Sequence, residues 1–81
     1  MNVHDTPLVT VRCPTSAATL NSFVSRFGLR ARKRGDLFDI LSGGRGSESE
    51  LDRELAQMAL AHMRDAERDG ALPNWAVISA R

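Results

Sequence analysis

Two short extended runs, residues 29–34 and 37–41, meet at Gly35-Asp36, and no other segment constrains the fold as much. A two-residue link containing glycine between such runs reads as a β-hairpin. In the first run Arg30, Arg32 and Arg34 point to one face, and Leu29, Ala31 and Lys33 to the other. In the second, Phe38 and Ile40 share a face with Asp39 opposite. If Leu29 and Ala31 pack under helices, the arginines stand on the open face of a sheet.

The rest of the chain supplies the partners for this hairpin. Residues 8–13 are rich in β-branched side chains and stop at Pro14, which predicts a first strand with Val9 and Val11 on one face. Thr15 or Ser16 can cap a helix over residues 16–27, with Leu20, Phe23, Val24 and Phe27 at helical spacing and Gly28 just past its end. Residues 42–46 read as a loop. Ser47 and Glu50 form a capping box for a long helix that Gly70 closes. Its expected buried stripe is Leu51, Leu55, Met58, Ala59, His62 and Ala66, widened by Leu60 and Met63. Leu72-Pro73-Asn74 is a turn before a last strand over 75–79. The order strand, helix, strand, strand, helix, strand predicts an α+β domain of ferredoxin-like βαββαβ topology, a four-stranded antiparallel sheet with both helices on one face. Strands one and three lie centrally and the arginine-rich strand on an edge, where charge discourages edge-to-edge pairing. Residues 1–7 read as a flexible lead-in to a single domain over 8–81.

Composition narrows the function. Eighty-one residues leave little material for a deep ligand cleft. The single cysteine, Cys13, cannot form an internal disulfide. No basic segment followed by an apolar run opens the sequence, and no apolar stretch is long enough to span a bilayer. A cytoplasmic protein with no membrane contact is expected.

The net charge is only +1, yet residues 26–34 hold five of the eleven basic groups. Residues 26–45 carry six basic side chains against two acidic ones, and residues 46–70 carry seven acidic against three basic. Two oppositely charged surfaces are therefore expected.

The face of Arg30, Arg32 and Arg34, with Thr10 and Arg12 from the first strand, is the first candidate binding surface, and Arg45 is a further partner-binding candidate, since guanidinium groups suit carboxylates and phosphates. The face could follow a nucleic-acid backbone or meet an acidic protein surface. Equally, it could be an edge strand kept soluble by its charges. Phe38 is the one aromatic residue on the two central strands, and alternation assigns it to the core, so base stacking is unsupported. Glu48, Asp52, Asp65 and Asp69 form an acidic helix face, which could mimic phosphate or simply be solvated. Trp75 is either a core plug or an anchor for a partner. The glycine-rich residues 43–46 precede a helix N-terminus but lack a P-loop ending.

Neither His4 nor His62 has other ligand types at metal spacing, so no metal or cofactor is expected. Cys13 lacks an evident base, and no nucleophile set or apolar carboxylate pair is visible, so no catalytic residue is assigned and no enzyme is expected.

In size, single-domain character and opposed charged surfaces, the chain resembles the small inhibitors made by phages and mobile elements, including anti-CRISPR proteins that block guide-RNA effector complexes. The resemblance is one of overall character, carried by no motif, and transfers no functional residues. It implies a non-catalytic binding protein that blocks a larger protein or ribonucleoprotein partner. Two other classes stay open: a direct nucleic-acid-binding regulator using Arg30, Arg32 and Arg34, and a dimerising regulatory domain.

Overall fold

The computed structural model describes residues 7–42 and 50–80. The expected lead-in apart from Pro7, the glycine-rich loop, His4, Arg45, Ser47 of the capping box and Glu48 lie outside the described residues. The elements are β1 (Val9–Arg12), α1 (Ala17–Val24) running into a 3-10 turn (Ser25–Phe27), β2 (Leu29–Arg34), β3 (Leu37–Ser42), α2 (Glu50–Arg68) and β4 (Ala76–Ala80). The strands form one antiparallel sheet in the order β2-β3-β1-β4. This is the ferredoxin-like arrangement, with β1 and β3 central and β2 and β4 on the two edges.

Local chemistry sets the boundaries. The Ser16 hydroxyl accepts from the Thr19 amide at 3.1 Å and caps α1. Gly28, at φ 73°, takes the left-handed position that ends the following turn. Gly35, at φ 65°, is the first of the two residues linking β2 to β3, as a tight hairpin requires. At the end of α2 the Ala71 amide donates to the Ala66 carbonyl at 2.8 Å and the Gly70 amide to the Glu67 carbonyl at 3.1 Å. With Gly70 at φ 83°, these two bonds make a Schellman closure.

The core is built by alternation. Val9 and Val11 of β1, Leu29 and Ala31 of β2, and Phe38 and Ile40 of β3 are buried together with Leu20 and Val24 of α1 and Trp75. The long helix enters this core in a different phase from the one its large apolar residues predict. Its buried line is Asp52, Ala56, Ala59, Met63 and Ala66. Leu51 and Met58 stay 56% and 54% exposed, while Leu55, Leu60 and His62 are half-buried. The cause is the size of the inner residues: three alanines let the helix axis come close to its neighbours, where a line of leucines would hold it off.

Candidate binding surface

The register of the sheet lays out its open face row by row. Arg30 stands opposite Leu41. Arg32 stands opposite Asp39, which stands opposite Thr10. Arg34 stands opposite Leu37, which stands opposite Arg12. The centre of this face, Thr10, Asp39 and Leu41, is buried, and the four arginines around it are exposed.

Asp39 organises the surface. Only 1% exposed, its carboxylate accepts the Thr10 hydroxyl at 2.9 Å, Nε and Nη2 of Arg34 at 2.9 and 3.1 Å, and Nη2 of Arg32 at 3.5 Å. A buried carboxylate needs such partners. The two bonds from Arg34 form a planar fork that fixes its guanidinium group. Those bonds hold the Asp39 carboxyl below its ordinary range, against the opposing pull of burial, with Thr10, the charge of Arg34 and then Arg32 adding to the effect. The same hydrogen bond and charge raise the Arg34 guanidinium. Arg12 and Arg30 lie outside this clasp, so among the described residues the strands of this face carry four guanidinium groups against one carboxylate.

Among the described residues no aromatic ring lies on this face. Phe38 is fully buried on the helix side, with the Lys33 ammonium 5.2 Å from its ring centre. Phe23 and Phe27 flank His62 at ring separations of 5.4 and 6.0 Å. Trp75 is a core residue, 7% exposed, rather than a surface anchor. Its indole N–H donates to the Met63 carbonyl at 3.3 Å, and the Arg64 guanidinium lies 4.7 Å over its ring.

The acidic helix face does not assemble as the sequence suggests. Asp52 belongs to the buried line, because the phase of α2 turns it inward. Asp65 remains exposed but is ion-paired with Arg68, and Asp69 is exposed beyond the helix end. Glu48 and Arg45 lie outside the described residues.

At one end of the sheet Arg12, Cys13, Lys33, Asp36, Trp75 and Ala76 line an open hollow of about 500 Å³. A concavity of this size is more than the length of the chain suggests. The buried Cys13 thiol is pushed up from its ordinary value by burial first and the Glu67 carboxylate second, so it stays protonated at neutral pH and is a poor nucleophile. Among the described residues no group of three His, Cys, Asp or Glu side chains could hold a metal ion.

The role of Asp39 goes beyond what the sequence pattern alone assigns to it. The signal was present: a two-residue hairpin link puts Arg34 opposite Leu37 and hence Arg32 opposite Asp39. Asn21 is a second such residue. Its carboxamide donates to the Ala31 carbonyl and accepts from the Ala31 amide, both at 2.9 Å. Nothing in the local pattern announces this contact across ten residues. Comparison with protein-family models, curated proteins and solved structures finds no match. Among the described residues no helix is long and apolar enough to cross a membrane.

Proposed function

We propose that this chain is a small non-catalytic binding protein that blocks a larger partner by covering one of its surfaces. Its contact region is the open sheet face rimmed by Arg12, Arg30, Arg32 and Arg34. The observation that carries this reading is the clasp of Asp39. A buried carboxylate that fixes one guanidinium group and reaches a second reduces the side-chain entropy lost on binding. A face with four arginines and, among the described residues, no aromatic ring favours carboxylates or phosphates held by a rigid partner over splayed bases. The partner class is therefore an acidic protein surface or a ribonucleoprotein, such as the guide-RNA effector complexes that the overall resemblance brings in. The acidic residues of α2 are weaker candidates, because Asp52 is buried and Asp65 is already paired.

The test uses Arg12→Ala with Arg30→Ala, since neither side chain is bonded to Asp39. Affinity capture from host lysate is expected to recover a large complex with the wild-type chain and to lose most of it with the double variant. Recovery of no such complex, or equal recovery by both chains, overturns the proposal. A gel-shift titration with bare RNA and DNA at two salt concentrations covers the runner-up. A tight, steeply salt-dependent shift that the double variant abolishes would replace the protein partner with nucleic acid.

A further inference from the structure

The sheet has two edges, and they are guarded unequally: β2 by charge and a capping side chain, β4 only by its shortness and a bulge. On β2, Arg30, Arg32, Lys33 and Arg34 are exposed, and the carboxamide of Asn21 occupies both the N–H and the C=O of Ala31. That side chain does what a neighbouring strand would do. On β4 the sequence Ala76-Val77-Ile78-Ser79-Ala80 carries no charge and no proline. Among the described residues no side chain caps its backbone. Val77 and Ile78 are 37% and 44% exposed although they are consecutive and apolar. The register shift between Thr10 and Val11 explains the pairing of exposures: Val77 faces Val11 and Ser79 faces Thr10, which leaves Ile78 as an extra residue in a bulge. The strand rests chiefly on β1, and no helix covers it to a comparable extent. An apolar uncharged edge of this kind is a template for another strand.

We infer that β4 pairs antiparallel with β4 of a second copy about a two-fold axis, joining the two sheets into one of eight strands. The choice of occupant follows from charge and closure. Pairing β2 with β2 would set arginine and lysine side chains against their own kind, and would displace Asn21. Pairing β4 with β2 would lay Val77 and Ile78 beside Arg32 and Lys33, and would propagate head to tail without closing. Pairing β4 with β4 places Val77 and Ile78 of one copy near the same residues of the other. It introduces no charge, closes after two copies and sends the basic β2 edges to opposite ends. Five residues of strand make a small contact, so the dimer is expected to be weak and to dissociate on dilution.

Sedimentation equilibrium of the whole chain over a wide concentration range tests the pairing. The mass is expected to climb from 8.9 kDa toward twice that value, and Ile78→Lys is expected to hold it at the monomer value with an unchanged circular dichroism spectrum. Hydrogen exchange of the wild-type chain gives a readout independent of any variant. Amides of β4 should slow severalfold from low to high concentration, and amides of β2 should not. A chain that stays monomeric at the highest concentration reached overturns the inference. So does a dimer that a folded Ile78→Lys still forms, or protection that appears on the Leu51 and Met58 flank of α2 instead. Protection of β4 that appears only when a different protein is bound assigns the edge to that protein's strand and equally overturns it.

Discussion

The two edge strands solve the same problem in opposite ways. Each must leave one row of backbone groups without a strand partner. β2 answers with charge and with a side chain: arginines crowd its open face, and Asn21 satisfies the outward amide and carbonyl of Ala31. β4 answers with neither, carrying only a bulge and two exposed apolar residues. The basic residues of this chain bear on two things at once. They line the surface that the proposed function uses, and they set like charges along their own edge, so charge alone does not separate the two. Asp39 bears on the first: an edge kept soluble by charge needs no buried carboxylate beneath it, whereas the proposed contact face draws its order from one.

The largest effect is expected from removing that carboxylate. Asp39→Ala takes away the acceptor used by Arg34 and by the buried hydroxyl of Thr10, and should cost about 1–3 kcal/mol in urea unfolding. It should also weaken capture of the partner, while leaving hydrogen exchange along β4 in step with the global change. Acid gives a second handle on the same group. Its folded carboxyl titrates below the ordinary value of 3.8, chiefly through its hydrogen bonds from Arg34. The associated stability is therefore present above the unfolded value and is lost as pH falls through the folded one. Wild-type stability should drop below about pH 4 by more than that of Asp39→Asn, whose amide cannot titrate. Parallel pH profiles for the two chains would remove the clasp from the account of β2.

Next in size is the edge clasp. Asn21→Ala leaves the outward N–H and C=O of Ala31 to water and should cost about 1–2 kcal/mol. The amide of Ala31 should then exchange in step with frayed edges rather than with the core. An unchanged exchange rate would mean that the contact contributes nothing in solution. Gly35→Ala tests the tip of the same hairpin. A Cβ at this position meets nothing within 4 Å, so only the left-handed backbone at φ 65° is strained, and a loss of about 1 kcal/mol is expected.

The contrast between the edges also marks where the sequence could be read and where it could not. Element order, the hairpin at Gly35-Asp36, the closing glycines 28 and 70 and the common face of Arg30, Arg32 and Arg34 all follow from local rules of periodicity and turn chemistry. The phase of α2 does not. Apolar residues surround much of that helix, and the pattern favours the large ones, whereas packing selected Ala56, Ala59 and Ala66 and turned Leu51 and Met58 outward. Asp52 was carried inward by the same rotation. Asn21 lies beyond any local rule, because its role exists only once α1 has been laid beside β2. Exposure of Val77 and Ile78 is likewise a tertiary result. A run that reads as a strand becomes an open edge only when the sheet order is fixed and no helix covers it.

The smallest expected effect on stability comes from exchanging the character of the edges one residue at a time. Ile78→Arg and Arg30→Ile both alter exposed side chains, so each should leave the unfolding midpoint of the dilute chain within about 0.5 kcal/mol of wild type. Their effects on self-association should differ. Ile78→Arg places a guanidinium group against its own copy across the two-fold and should abolish concentration-dependent mass. Arg30→Ile removes one charge from β2 but leaves the carboxamide of Asn21 on Ala31, so it should add no association of its own. Combined with Asn21→Ala, the same change opens β2 both chemically and sterically, and higher-order species should appear in sedimentation velocity. If Arg30→Ile alone produces them, charge rather than the clasp is what guards β2. If even the double variant stays dimeric, the remaining Arg32, Lys33 and Arg34 suffice, and the asymmetry between the edges rests on charge density rather than on the side chain that mimics a strand.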